Sequence, residues 1–150
     1  MNSSMQQNPA LLGVYQDAIY EVRVPKYGLF QLHIGKQHPQ LDNALRILFP
    51  ACQRWTFLTA WNPRSKLLSD TENATRQALL CARLRENGLK WLPAVGRAAP
   101  EQAPWTEESL FVLDLDTEQL IKLGKEFDQN AVLVGEVGGQ AELMLLADIT

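Results

Sequence analysis

The sequence has few cysteines, no long apolar run and no leader-like start. Cys52 and Cys81 are the only cysteines among 150 residues, which implies no disulfide framework and favours a reducing compartment. No apolar stretch approaches the ~20 residues that a transmembrane helix needs. The opening residues, MNSSMQQNPA, lack the basic region and the apolar segment of a signal peptide. We therefore expect a cytoplasmic protein without a membrane partner.

The sequence also lacks the motifs of the common cofactor and catalytic sites. No P-loop, no GxGxxG fingerprint and no GxSxG elbow is present. His33 and His38 have no partners at metal-ligand spacing, so we predict no metal site. Neither cysteine has a nearby base that would mark it as a nucleophile. The sequence therefore implies no cofactor, and it leaves open whether the protein is an enzyme.

The composition is that of a globular domain. Hydrophobic residues make up 46% of the chain and charged residues 21%, enough apolar material for a sizeable core without a disulfide or a structural metal. The length fits one domain. We predict a flexible tail over residues 1–8 and a single globular domain over residues 9–150.

The charges are unevenly distributed along the chain. Residues 1–100 carry twelve basic and six acidic side chains, a net charge of +6, whereas residues 101–150 carry two basic and eleven acidic ones, a net charge of −9. This asymmetry fits either a field across a cleft or two solvated faces. A pI near 5.4 makes DNA an unfavourable partner. RNA binding through the basic part has little support, because no RNA-recognition motif is present.

Hydrophobic periodicity and turn residues predict an α+β fold. We expect one mixed or antiparallel sheet with helices packed on it. From residue 54 onward the order β-α-β-β-α-β is that of ferredoxin-like folds, and a ββα extension precedes it. The predicted helices cover 9–16, 39–49, 69–87 and 116–127, and the predicted strands cover 18–24, 29–34, 54–59, 90–95, 108–115, 130–136 and 141–146.

The most informative segment is the turn Thr59–Ser65, TAWNPRS, between a strand and a capped helix. Such strand-to-helix turns are frequent ligand sites. Arg64 offers a planar set of donors for phosphate or carboxylate, and Ser65 adds a neutral donor. Asn73 lies on the inward face of the helix, beneath the turn. The alternative is ordinary turn chemistry, with Asn62 forming an Asx turn and Pro63 fixing φ.

Three downstream residues are candidate companions of this turn. Glu107 and Ser109 begin a strand, and Glu107 could act as a general base if strand order brings it to the turn. Gln129 follows the last helix and could hydrogen-bond a ligand. The alternatives are an exposed carboxylate at a strand end and an amide that closes a helix. The tryptophans Trp61 and Trp105 are candidates to stack on a ligand ring.

The ordered set of these pieces resembles a known family. TAWNPRS, Ser69-x-x-x-Asn73, Gly96 after a proline-bearing strand, Trp105-x-Glu107-x-Ser109 and Phe127-x-Gln129-Asn130-Ala131 are similar, in this order and spacing, to the uncharacterised bacterial family called domain of unknown function 3293. The resemblance covers about residues 14–136. It implies a small, standalone bacterial protein and brings no established activity, substrate or cofactor.

Two functions remain as predictions. The first is binding of a small anionic ligand, a nucleotide or phosphorylated metabolite, with Arg64 as the anion clamp and Glu107 as acid or base in any reaction. The second is a protein–protein interaction or regulatory module without catalytic activity. The charge asymmetry and four tryptophans suit the second function. Monomer and homodimer both remain open.

Overall fold

The computed structural model describes residues 9–146. The tail predicted over residues 1–8 and the last four residues of the predicted domain lie outside this range. The described helices are α1 (Pro9–Asp17), α2 (Pro39–Leu48), α3 (Asp70–Glu86) and α4 (Thr117–Glu126). The strands are β1 (Ile19–Val24), β2 (Gly28–Leu32), β3 (Arg54–Leu58), β4 (Trp91–Arg97), β5 (Thr106–Leu113), β6 (Ala131–Glu136) and β7 (Glu142–Leu145).

All seven strands form one curled antiparallel sheet in the order β2-β1-β4-β5-β3-β6-β7. The chain after β2 reaches the other end of the sheet, where Ile34 forms an isolated bridge with Ala141. The Gly35 amide donates to the Ala141 carbonyl at 2.7 Å. The predicted α+β class with one sheet and packed helices is thus confirmed.

The segment β3-α3-β4-β5-α4-β6 has the predicted element order. Its strands lie side by side as β4-β5-β3-β6. Because each neighbouring pair is antiparallel, β3 runs parallel to β4 with β5 between them, and β5 runs parallel to β6 with β3 between them. This arrangement places the start of β5 beside the end of β3, where the TAWNPRS turn begins.

The two faces of the sheet have separate cores. On one face α2 inserts Leu41 and Leu45 among inward side chains such as Trp55 and Phe111. On the other face α3 and α4 pack their leucines against the outward side chains of β3, β5 and β6. Residues alternate between these faces along each strand. The first face is the concave one, because the sheet curls until Ile34, after β2, bridges Ala141, before β7, and both residues belong to the core on that face.

Capping boxes fix where α3 and α4 begin. The Ser69 side chain accepts from the Glu72 amide at 3.1 Å, and Asp116 accepts from the Gln119 amide at 2.7 Å. These bonds satisfy backbone donors that a helix start leaves without partners. None of the described helices combines the length and apolar character that crossing a membrane requires.

We expect Gly135→Ala to destabilise the protein by about 1.5 kcal/mol, a typical cost for an extra methyl in a packed core. A Cβ at Gly135 would lie 2.3 Å from Cζ2 of its cross-strand partner Trp55. The indole has little room to shift, since Trp55 is buried and stacked on Phe111 with ring centroids 5.0 Å apart. Urea denaturation measures the effect. Gly13→Ala is the control, because a Cβ there meets nothing within 4 Å; equal stability of the two variants would contradict the packing argument.

Candidate functional site

A cavity of about 290 Å³ lies at the end of the concave face that α2 leaves uncovered. Its floor consists of inward side chains of the strands, including Phe57 and Leu133. Its mouth is bordered by α1, by the loop before β5 with Trp105, and by the turn after β3. The volume is at the low end for small-molecule sites.

Alternation along β5 directs two of the predicted residues into the cavity. Glu107, Ser109 and Phe111 are spaced two apart and share the concave face, whereas Leu110 and Val112 belong to the opposite core. Ser109 is buried, and its hydroxyl donates to the Glu107 carbonyl at 3.2 Å. Glu107 therefore does not lie on an exposed strand end, which was the alternative interpretation of its position.

Asn62 connects Glu107 to the TAWNPRS turn. Its Nδ2 donates to Oε2 of Glu107 at 2.9 Å. Its backbone amide donates to Oδ1 of Asn73 at 2.9 Å, and Nδ2 of Asn73 donates back to Oδ1 of Asn62 at 2.9 Å. The same Oδ1 also accepts from the Leu68 amide at 3.1 Å. Both asparagines are buried, so α3 holds Asn62 in place and Asn62 orients the carboxylate.

The backbone of the turn has an unusual conformation that suits this arrangement. Asn62, Arg64 and Ser65 have φ values of 47°, 54° and 60°, in the left-handed region that residues with a Cβ rarely adopt. Gln77 supports the turn from below: its Oε1 accepts from the Ala60 amide at 2.8 Å, and its Nε2 donates to the Glu108 carbonyl at 3.2 Å. Several hydrogen bonds thus stabilise a conformation that is unfavourable by itself.

Glu107 is the charged group of the cavity. Burial raises its pKa to about 6 from an ordinary 4.5, and the hydrogen bond from Asn62 offsets part of this effect. None of the described residues that line the cavity is a lysine or an arginine. Near neutral pH the cavity therefore holds an ionised carboxylate among mainly apolar walls.

Arg64 does not lie where the anion-clamp hypothesis would need it. Its side chain is about half exposed, does not line the cavity, and faces Asp128 with an Nη2–Oδ1 distance of 3.9 Å. The positive φ at Arg64 turns the residue toward the end of α4, where its backbone amide donates to the Asp128 carbonyl at 2.7 Å. The predicted convergence of five residues is thus partial: Asn62, Asn73 and Glu107 form a network and Gln129 lines the cavity, but Arg64 points elsewhere.

Some of the remaining predicted residues line the cavity, and the others lie beside the residues that line it. Trp61 does not line the cavity, and its buried Nε1 has no hydrogen-bond partner among residues 9–146. Gln129 lines the cavity and donates to the Trp61 carbonyl at 3.1 Å. Trp105, the second stacking candidate, lines it as well. Asn73 contributes through Asn62 and does not itself line the cavity.

Sequence reasoning missed a polar cluster at the mouth of the cavity. The Tyr15 hydroxyl forms a hydrogen bond with Oγ of the predicted residue Ser65, and Nδ2 of Asn130 donates to both oxygens, at 3.3 and 3.2 Å. Tyr20 also lines the cavity, and its hydroxyl donates to the Tyr15 carbonyl at 2.6 Å. The spacing of Leu11 and Tyr15 in a short amphipathic helix was the available signal, but nothing in the sequence placed that helix here.

Arg76 of α3 is half-buried and binds two backbone carbonyls. Its Nε donates to the Ala60 carbonyl at 2.8 Å and its Nη2 to the Phe127 carbonyl at 2.5 Å. The guanidinium therefore joins the end of β3 to the end of α4, which bear the turn and Gln129.

Other reactive groups lie outside the cavity. Burial raises the pKa of the Cys52 thiol to about 11 and also raises the pKa of Cys81, so both are protonated thiols at neutral pH. No group of three or more histidine, cysteine or carboxylate side chains that could hold a metal ion occurs within residues 9–146.

Comparison with known proteins identifies the family. The family model described as "Protein of unknown function (DUF3293)" matches residues 58–132, which is half of the chain. No curated protein and no solved structure matches the chain significantly. The match begins in β3 and ends in β6, a shorter stretch than the resemblance suggested, and it includes Asn62, Asn73, Glu107 and Gln129. The chain belongs to this family of proteins of unknown function.

Proposed function

We propose that the protein binds a small, largely apolar molecule, neutral or cationic, that donates a hydrogen bond to Glu107. The observation that carries this proposal is a partly buried carboxylate, oriented by Asn62, in a cavity whose other walls are mainly apolar. Pockets of this kind gain affinity from apolar contact and specificity from few, well-placed polar groups. A donor on the ligand would satisfy the carboxylate that the cavity partly desolvates.

The same geometry gives Glu107 a second capability. A carboxyl group with a pKa near 6 exchanges protons readily at neutral pH. Glu107 would be the acid or base in any reaction of the bound molecule, as the sequence predicts. Binding, the simpler function, is the one that we put forward.

The predicted anionic ligand, a nucleotide or phosphorylated metabolite, ranks second. An anion in the cavity would lie beside the Glu107 carboxylate, and two like charges at close range repel each other. Arg64, at the outer surface of the turn, remains available to an anion outside the cavity. A binding site there would have to compete with the Arg64–Asp128 pair, a contact that contributes little when exposed.

Two fluorescent probes of the same scaffold test the proposal. We expect N-phenyl-1-naphthylamine, which is neutral and carries an N–H donor, to bind in the cavity with enhanced fluorescence. 8-Anilinonaphthalene-1-sulfonate adds a sulfonate to the same scaffold, and we expect it to bind at least 10-fold more weakly at pH 8, since about 1.4 kcal/mol of repulsion has that effect. The difference in affinity between the two probes should be smaller at pH 5, where Glu107 is protonated.

Matched variants assign the binding site. Trp105→Phe should weaken binding of the neutral probe while Trp91→Phe leaves it unchanged, because Trp105 lines the cavity and Trp91 belongs to the opposite core. Failure of the neutral probe to bind, combined with a rise in melting temperature with nucleotides that Arg64→Ala abolishes, would favour the anionic ligand and contradict our proposal.

The interaction module also remains a prediction, and one observation favours it. Strand β2 is the first strand in the sheet order, and the hairpin that contains it exposes Tyr27 (45%) and Leu29 (55%). Exposed apolar residues on an edge strand can pair with another chain. Size-exclusion chromatography with light scattering distinguishes a homodimer from a monomer, and Leu29→Lys should abolish any dimer formed through this edge.

A further inference from the structure

Helix α1 lies across the mouth of the cavity. Leu11, Val14 and Tyr15 line the cavity, and their spacing of three and four residues places them on one face of the helix. The opposite face bears Gln16 and Asp17, which are exposed. The helix thus separates the cavity from solvent on this side.

Most of the hydrogen bonds that hold the C-terminal end of α1 converge on Tyr15, and one more joins Gln102 Nε2 to Asp17 Oδ2 at 3.2 Å. The Tyr15 hydroxyl bonds to Ser65 Oγ and accepts from Asn130 Nδ2, and the Tyr15 carbonyl accepts from the Tyr20 hydroxyl. Three of these four residues, Tyr15, Tyr20 and Ser65, also line the cavity. Tyr15 therefore acts as a latch between α1 and the TAWNPRS turn.

The packing of α1 is shallower than that of the other helices. None of residues 10–17 is buried, whereas α2, α3 and α4 each bury three or four residues. Gly13 in the middle of α1 further lowers its helical stability relative to alanine. Elements with little buried apolar surface open at a lower free energy than the whole fold.

We propose that α1 is a lid that opens and closes the cavity, with Tyr15 as its latch. Its role in ligand exchange rests on the proposed binding function, but the opening itself is a property of the protein without ligand. An opening of α1 exposes the floor of the cavity and leaves the core beneath α2 intact.

A cysteine on the cavity floor reports on this opening. In the full chain with Cys81→Ala and Ser109→Cys, the rate of alkylation by iodoacetamide is measured at each cysteine by peptide mass spectrometry. Ser109 is buried in the cavity, and Cys52, kept as an internal control, is buried in the core that contains α2. Alkylation of a buried thiol follows the population of the open state when closing is fast.

Two variants should shift this rate in opposite directions. Tyr15→Phe removes the latch hydroxyl and should raise alkylation at position 109 about five-fold, the equivalent of one side-chain hydrogen bond. Gly13→Ala adds a methyl into open space and stabilises α1, so it should lower the rate about three- to five-fold. Alkylation of Cys52 should change in neither variant.

Two outcomes would overturn the lid. If position 109 reacts equally fast in all three proteins, α1 does not control access. If Cys52 accelerates in parallel with position 109, the opening is global unfolding. Neither outcome tests whether the cavity binds a ligand, because no ligand is present in the alkylation assay. Conversely, failure of the fluorescent probe to bind would not change the conclusion about the opening of α1.

Discussion

Asn73→Ala should destabilise the protein by about 3–4 kcal/mol, although the substitution removes only one amide. The Asn73 side chain is buried, accepts from the Asn62 amide and donates to Asn62 Oδ1. Its loss leaves a buried N–H with no acceptor and weakens a network whose members support one another. Each unsatisfied buried group costs about 1–3 kcal/mol, and the left-handed backbone at Asn62 loses part of its support.

Urea denaturation with a double-mutant cycle measures this coupling. Asn62→Ala removes the bond from Asn73 Nδ2 to the Asn62 side chain, while the backbone amide of residue 62 can still donate to Asn73 Oδ1. The two variants share one side-chain bond, so the double variant should be less destabilised than the sum of the single ones by about 1–2 kcal/mol. Asn43→Ala, an exposed asparagine on α2, is the control and should change stability by less than about 0.5 kcal/mol. Additive effects of Asn62→Ala and Asn73→Ala would contradict the network.

The inward position of Asn73 on α3 could be predicted from the sequence, whereas the direction of the Arg64 side chain could not. The sequence placed Asn73 on the inward face of the helix, since helical periodicity alone sets the face of each residue. The direction of Arg64 depends on its left-handed backbone and on Asp128, 64 residues later in the chain. Neither is visible in local sequence patterns.

Strand boundaries could likewise be predicted from the sequence, whereas strand order could not. Alternation and turn residues located the strands to within about two residues, because both are local properties. The position of Glu107 beside Asn62 depends on β5 lying next to β3, a pairing between distant segments. The arrangement at the cavity mouth is still harder to predict from the sequence. Tyr15 contacts Ser65, which lies 50 residues later in the chain, and the sequence of the nine-residue helix α1 does not indicate where that helix packs.

In the fold, basic residues from the first 100 positions form ion pairs with acidic residues from the last 50. Arg83 from the basic part pairs with Glu126 from the acidic part at 2.9 Å, where α3 lies beside α4. Arg64 and Asp128 repeat this pattern at the end of α4. The two parts thus meet at the surface of one domain, and the asymmetry does not extend into the cavity, whose charge comes from Glu107.

Glu107→Gln should stabilise the protein at pH 8 by about 2 kcal/mol and leave its stability at pH 4 nearly unchanged. Burial raises the pKa of Glu107 from 4.5 to about 6, so between these values the native state binds more protons than the unfolded state. The contribution of this group to stability is then fully present below pH 4.5 and is lost as the pH rises through 6. A difference of 1.5 between the two pKa values corresponds to about 2 kcal/mol.

Glutamine removes this loss, because it is neutral at every pH and its carbonyl can still accept from Asn62. The measurement is urea denaturation of both proteins between pH 4 and pH 8. Glu108→Gln is the control, since Glu108 is exposed and the change should stay within about 0.5 kcal/mol. A difference between wild type and Glu107→Gln that is constant with pH would show that the carboxylate is not desolvated.

The same variant should gain stability and lose selectivity in the cavity. Without the carboxylate, the sulfonated probe meets no like charge, so it should approach the affinity of its neutral counterpart at pH 8. The neutral probe should lose affinity about 5- to 10-fold, the difference between a charged and a neutral hydrogen-bond acceptor. A more stable protein that discriminates less would indicate that the chain keeps a destabilising carboxylate in its cavity for recognition; unchanged selectivity would assign Glu107 to the fold alone.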